Sequence, residues 1–303
     1  MHEGAEIHFL TKNRFTSLLE PNPYITKVYG IEKSTNEVME ELKKEHYDYV
    51  IDLHLNLRSS RVKRALKMIS FSFKKYNWQK WLLVNFGINK MPKMHIVDRY
   101  METLVPFSIA NDGKGLDYFF PVGEEALPTE LPETHKNGYV AVAIGAAHWR
   151  KKPRVNQYIE ICQKLNYPIV LLGGPSEEKD GSEIASACGE TVWNAAGKLS
   201  LNGSAALIRD SMLVITPDTG MMHIASAFKK PIISFWGATV ADFGMYPYLN
   251  ENLDVRIEAD HLNKRPCSKL GTKCKYKECR CIDELPIEKA VEAANSQIEL
   301  STP

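Results

Sequence analysis

Net charge, long apolar runs and a cysteine framework are all missing from this sequence. Its 303 residues carry 38 Lys and Arg against 37 Asp and Glu, a formal charge of +1. That balance gives no global basic footprint, so nucleic acid is not an expected partner and any anionic ligand must be met by a local cluster. The longest apolar stretches, VAVAIGAA and PIISFWGA, fall far short of the roughly 18 to 20 residues that cross a bilayer. The opening MHEGAEIHFLTK has neither the apolar core nor the small-residue cleavage site of a secretory signal. Of the six cysteines, Cys162 and Cys188 fall in helical patterns and four crowd near the end, unlike a small secreted scaffold. The expectation is a cytoplasmic protein with reduced thiols. Internal repeats and low-complexity tracts are also missing.

What is present is an ordinary globular balance, 44% apolar and 25% charged, in a chain too long for one core. Two domains are expected: an N-terminal one over 1–125, a Pro- and Gly-broken linker over 126–137, a second domain over 138–285, and a C-terminal helix over 286–303. In the first domain GAEIHFLT reads as a strand, and LLEPNPYITKVYGI as a loop leading to another. Ser34 with Glu37 three residues on marks a helix start. YDYVIDLHLNLRSS reads as a strand with a polar end, followed by helical RVKRALKMI, and HIVDRYMETL opens a further helix. In the second domain apolar strands and amphipathic helices alternate from YVAVAI to PIISFWG. Val155, Tyr158, Ile159, Cys162 and Leu165 fall on one helix face. The fold class expected is α/β with parallel sheets covered by helices.

Ligands of such sheets bind beyond the carboxyl ends of strands. MLVITPDTGMMHIASAF puts Asp218, Thr219 and Gly220 in a turn there, with His223 one turn into the next helix. Helix-terminal N–H groups suit a diphosphate, Gly220 permits its close approach, and Asp218 and His223 suit sugar or phosphate oxygens. Helix capping by Asp218 or Thr219, with His223 as a core residue, explains the same pattern equally well. Arg150, Lys151 and Lys152 form a basic loop past another strand end, suited to a departing diphosphate or simply a solvated charge run.

The block PDTGMMHIASAFKKPIISFWG resembles the D-[TS]-G-x-x-H-x-A segment of the lipopolysaccharide heptosyltransferase family, glycosyltransferase family 9. GAAHWRKKPRVNQYIEIC, LLGGPSEE and AAGKLSLNGSAALIRDS follow in the family's order, and AEIHFLTKNRFTSLLEPNPYITKVY and YDYVIDLHLNLRSSR are similar to its N-terminal domain. The resemblance implies a GT-B fold of two Rossmann-like domains with an interdomain cleft. It implies an inverting transfer of a sugar, heptose from an ADP-sugar donor, to a lipid-linked lipopolysaccharide core, without a cofactor. Carried over, Asp218, Thr219, Gly220 and His223 hold the sugar and diphosphate, and Lys151 stabilises the leaving group with Lys152 nearby. Ser176 stands where the family has a nucleotide-contacting Glu, with Glu177 beside it.

On the acceptor side, Asp52, His54, Asn56 and Arg58 alternate at a strand end and are expected to share a face toward the cleft. Arg58 and Arg61 suit an acidic acceptor, and Arg99 in HIVDRY resembles another family block, a surface ion pair being the alternative. Such an acceptor makes peripheral contact with the inner face of the cytoplasmic membrane an expectation, with FSFKKYNWQKWLLVNF as the candidate segment. Cys267, Cys274, Cys279 and Cys281 are candidate metal ligands, with His261 as a further one. Their C-x6-C-x4-C-x-C spacing departs from the paired C-x2-4-C of structural zinc, so no metal is expected. Family members usually begin with a strand, loop and helix that carry the general base. This sequence starts beyond them, which predicts donor binding with impaired catalysis. A noncatalytic nucleotide-sugar-binding protein and a sugar-nucleotide epimerase are the competing readings.

Overall fold

Short runs of apolar and β-branched residues build the sheets of this protein, described by a computed structural model over residues 4–250, 253–276 and 278–301. Two compact units result. The first takes residues up to 76 with 94–113 and 118–123, and the second takes 77–93, 114–117 and everything from 124 onward.

In the first unit β1 (His8–Lys12) pairs in parallel with β2 (Lys27–Ile31), in the register His8 to Lys27 through Lys12 to Ile31. Between them lies α1 (Thr16–Leu19), where the Pro and Asn punctuation predicted only a loop. The helix start at Ser34 is as expected. The Ser34 hydroxyl accepts from the Asn36 N–H, and Glu37 accepts from the N–H groups of residues 32 to 34, ahead of α2 (Met39–Lys44). Next, β3 (Tyr49–Asp52) leads into α3 (Leu57–Leu66) and then β4 (Ile69–Ser72), which pairs in parallel with β3. Tyr29, Ile31, Val38, Met39, Leu42 and Val62 form a small core.

The aromatic segment after residue 76 holds α4 (Asn77–Phe86), which belongs to the second unit, and α5 (Ile96–Met101), which belongs to the first. Leu83 of α4 is buried with Val240 and Phe243. The stretch expected as an exposed connection is instead anchored, with Leu131 and His135 buried and the His135 imidazole hydrogen-bonded to the Ile169 carbonyl at 3.1 Å.

From there the βα alternation runs β5 (Val140–Ala143), α6 (Val155–Lys164), β6 (Ile169–Leu172), α7 (Glu178–Cys188), β7 (Val192–Asn194), α8 (Leu201–Asp210), β8 (Leu213–Pro217), α9 (Gly220–Ala227) and β9 (Ile232–Trp236). The sequence reading missed β10 (Asp254–Glu258), which precedes α10 (Arg280–Asp283) and the C-terminal α11 (Ile287–Ser301). All six strands of this sheet are parallel, in the order β7-β6-β5-β8-β9-β10. Counted from β5, that is 3-2-1-4-5-6, the order of a dinucleotide-binding fold, whose direction reverses between β5 and β8. The core beneath is continuous. Tyr158, Ile161 and Cys162 of α6, with Leu165 just past its end, are almost fully buried against it, and each large apolar side chain so placed stabilises the fold by about 1.5–3 kcal/mol.

Candidate functional site at the carboxyl ends of β5 and β8

Where strand order reverses, the connections leaving β5 and β8 diverge and open a crevice beyond the strand ends. Two loops meet there. The loop after β5 makes a short turn over Trp149–Lys151, and the chain leaving β8 reaches Asp218, which is 7% exposed. Lys151 Nζ lies 2.6 Å from Asp218 Oδ2, and the Thr239 hydroxyl donates to that same oxygen at 3.0 Å. An exposed pair of this kind contributes about 1 kcal/mol at most. Here both partners are largely withdrawn from water, so attraction and desolvation cost are both larger, and a polyanion arriving at Lys151 competes with Asp218 for it.

The basic run does not act as one patch. Arg150 stacks over Trp149, donates to the Thr272 carbonyl at 3.2 Å and offers its own carbonyl to the Ala238 N–H. Lys152 turns to Asp180 at 3.2 Å and Glu177 at 3.9 Å. Lys151 alone of the three reaches Asp218.

Thr219 occupies the N-cap of α9 but makes no capping hydrogen bond with its side chain, which sits 3.3 Å from the Thr216 hydroxyl. The first N–H groups of α9 have no partner within the helix. A Cβ added at Gly220 would meet no heavy atom within 4 Å, so the approach to them is open. One turn on, burial pushes the His223 imidazole below its usual value, with Asp218 opposing that shift and Lys151 reinforcing it. His223 is therefore neutral near pH 7. Glu177 folds back over the ends of β5 and β6, accepting from the Gly174 N–H at 3.1 Å and covering Gly145 and Gly173.

A cavity of about 160 Å³ adjoins the pair, bounded by Lys151, Asp218, His148, Trp236, Thr239 and Leu270 among others. Thr239 and His148 were not singled out from the sequence. Thr239 could have been, since it follows the Trp236-Gly237 turn just as Asp218 follows β8. Arg265 was also missed: it donates to the carbonyls of Trp236, Gly237 and Thr239 and pairs with Glu258, fixing the turn after β9.

The acceptor-side candidates lie in the first unit and depart from the expected strand face. β3 stops at Asp52 because its buried carboxylate accepts from the N–H groups of His54 (3.0 Å) and Leu55 (2.7 Å) and pairs with Lys63 at 2.8 Å. Leu55 takes a positive φ of 44°, and Asn56 caps α3 by accepting from the Arg58 and Ser59 N–H groups. Asp52 and Asn56 thus build a turn, His54 packs against Asn56, and Arg58 and Arg61 are exposed on α3. Arg99 is not at the surface. It is fully buried, donating to the Met94 carbonyl at 2.8 Å and lying over the Tyr76 ring, while His95 caps α5.

All six cysteines are free thiols. The sulfurs of Cys267, Cys274 and Cys281 all lie within 4.8 Å of one another. Cys267 is pulled down, chiefly by a hydrogen bond from Cys281, which is pushed up in turn. His261 is engaged with Glu284 at 2.6 Å.

Known proteins resemble this chain in sequence and fold. Lipopolysaccharide heptosyltransferase 3 of Escherichia coli (strain K12) is 26% identical over 289 residues, covering 88% of this chain and 82% of its own. Lipooligosaccharide heptosyltransferase 2 of Haemophilus influenzae is 39% identical over a shorter 123 residues, 38% of this chain and 35% of its own. The solved structure of E. coli ADP-heptose LPS heptosyltransferase II superposes with a TM-score of 0.70 at 18% identity, over 99% of this chain and 91% of that one. The fold is thus the α/β GT-B type of these enzymes. The sequence model of glycosyltransferase family 9 (heptosyltransferase) matches residues 36–277, and the chain belongs to that family.

Proposed function

We propose that this protein is an inverting glycosyltransferase that transfers heptose from ADP-heptose to an acidic lipopolysaccharide core acceptor. The observation that carries the donor side is the Lys151–Asp218 pair at the sheet's reversal point, beside the open first turn of α9. When the donor arrives, its diphosphate takes Lys151 from Asp218 and accepts from the N–H groups at Gly220. That frees the Asp218 carboxylate to accept from sugar hydroxyls. As the glycosidic bond breaks, negative charge grows on the departing diphosphate, and Lys151 is already placed to meet it, so stabilisation is greatest in the transition state. His223, neutral through burial, donates one ring N–H without adding a fixed charge. Lys152 and Glu177 hold the rim of the nucleotide pocket.

On the acceptor side, exposed Arg58 and Arg61 on α3 suit carboxylate and phosphate groups of the lipid-linked core. Trp78 and Trp81 stack at 4.9 Å on α4 with Trp78 64% exposed. With Lys80 on the same helix they suit the interface of an anionic membrane. No helix among the described residues is long and apolar enough to span a bilayer.

The test is product analysis with a donor panel of ADP-heptose, ADP-glucose and UDP-N-acetylglucosamine, with and without a core acceptor. Sugar transfer from ADP-heptose with inverted anomeric configuration is expected, at a rate reduced by the want of a recognised general base. An epimerised donor, binding with no transfer at all, or calorimetry finding no affinity for ADP-sugars would each defeat the reading.

A further inference from the structure

The stretch formed by residues 266–276 and 278–279 carries little regular structure, yet it is fixed at both ends and in the middle. At its start the Cys267 N–H donates to the Ala238 carbonyl at 2.9 Å. In the middle Gly271, with φ of +74°, packs against the Lys151 side chain, and Thr272 accepts from Arg150. At its end Cys279 adopts a left-handed φ of 51°, unusual for a residue with a side chain, and Cys281 is completely buried in α10. The result is that the sulfurs of Cys267, Cys274 and Cys281 converge on one point, with Cys279 two residues before Cys281 at the start of the same short helix.

We propose that Cys267, Cys274, Cys279 and Cys281 bind a single thiophilic transition-metal ion, zinc(II) or iron, as a structural tetrathiolate site. A tetrahedral ion about 2.3 Å from each sulfur holds the sulfurs about 3.8 Å apart, and three of them already lie within 4.8 Å of one another. Thiolate ligands select zinc or iron over harder ions such as magnesium and calcium. His261 takes no part, being paired with Glu284. Four thiols lose their protons on binding, and the complex with zinc(II) carries a net charge of −2. Lys275 acts electrostatically on Cys267 and Arg265 on Cys281, so two cations offset that charge. The unusual sequence spacing is accommodated because the six residues between Cys267 and Cys274 do not form a tight knuckle. They extend past the crevice instead, placing Lys269 and Leu270 on the cavity wall and Gly271 on Lys151. The ion thus pins the loop that backs Lys151, and it contacts no reacting group.

The experiment uses the full chain, purified under reducing conditions without chelator and analysed for zinc and iron by plasma mass spectrometry. About one ion per chain is expected, and the identity of the element separates zinc from iron. After metal removal, cobalt(II) should bind with sulfur-to-metal charge-transfer absorption and the intense visible bands of a tetrahedral site. Cys267→Ser and Cys281→Ser should each lower metal content about tenfold or more, whereas Cys188→Ser, outside the cluster, should leave it unchanged. Chelation should lower Tm by about 5 °C or more. Metal below about a tenth of an equivalent, together with no cobalt uptake by the reduced protein, overturns the proposal. So does metal retained in full by both cluster variants, or disulfides among these cysteines in protein that takes up no metal. Should the variants not fold, wild-type metal content and cobalt spectra decide alone. Neither donor nor acceptor enters these measurements, so their outcome is independent of the transferase reading.

Discussion

Lys151, from the loop after β5, closes on Asp218, at the end of β8, with 2.6 Å between nitrogen and oxygen. If the lysine meets charge developing on a leaving diphosphate, Lys151→Met should lower kcat/KM for transfer about 100-fold or more, with Lys151→Arg recovering part of it. Steady-state kinetics with ADP-heptose checks this, and equal rates in wild type and Lys151→Met would refute the role. Thr239→Val removes the second donor to Asp218 and should cost about 1–2 kcal/mol in urea unfolding.

Gly220 separates affinity from stability. Its added Cβ meets nothing within 4 Å, so Gly220→Ala should fold with stability within about 1 kcal/mol of wild type. The methyl would nevertheless stand where the diphosphate approaches the backbone, and donor Kd by calorimetry should rise about tenfold. Unchanged affinity would mean that the first turn of α9 does not grip the donor.

Gly237 and Gly271 predict failures of different kinds. A Cβ at Gly237 would fall 2.1 Å from Ile282 Cδ1 and 2.6 Å from the Arg150 carbonyl oxygen. The second neighbour is backbone and cannot swing aside, so Gly237→Ala should destabilise by about 2–3 kcal/mol or more. At Gly271, φ is +74° and the Cβ would meet Lys151 Cγ at 2.8 Å. There Ala should cost about 1–2 kcal/mol through backbone strain and also weaken donor binding. Chemical unfolding paired with calorimetry distinguishes the two.

Stability should fall as pH drops through the histidine range. Burial depresses both His135 and His223, so between their folded values and the ordinary value of about 6.5 the unfolded chain binds more protons. The contribution is complete above about 6.5, declines below it, and levels off beneath the folded values. Asp254 and Glu258, whose carboxyls are raised by burial, act in the opposite sense at lower pH, so the comparison belongs above about pH 5.5. His135→Gln should flatten the slope of unfolding free energy between about pH 7.5 and 5.5. A slope unaffected by that change would show His135 to be uninvolved.

Replacing Trp78 and Trp81 together by Ala should reduce sedimentation with vesicles containing anionic lipid several-fold while leaving donor Kd unchanged, since both rings are exposed. Equal sedimentation of variant and wild type would remove α4 from the membrane-facing surface.

The second unit's sheet could be read from sequence because its strands are uninterrupted apolar runs and its helices carry one apolar stripe, as Tyr158, Cys162 and Leu165 show. β10 escaped notice since DVRIE mixes charges into an edge strand. α1 was hidden among Pro and Asn signals because it spans only four residues. The polar end of YDYVIDLHLN looked like more strand, yet side-chain acceptors on Asp52 and Asn56 bend the chain there. At the site, Lys151, Asp218 and Gly220 stood out by their place after apolar strands. Thr239 needed the fold to bring it to Asp218, and the meeting of the cysteines depends on turns that spacing does not encode. Arg99 read as an acceptor-side residue, with a surface ion pair as the alternative, because its burial is settled by packing around Tyr76 and Met94.

One helix bears on how this protein can be taken apart. α4 is encoded amid first-unit sequence, yet Leu83 completes a cluster with Val240 and Phe243, next to the turn that carries Thr239. A fragment begun at residue 124 would therefore bare that apolar patch and loosen the wall of the cavity beside Lys151 and Asp218. Domain-swapped chimeras in this family would need to carry residues 77–93 along with the C-terminal half they serve.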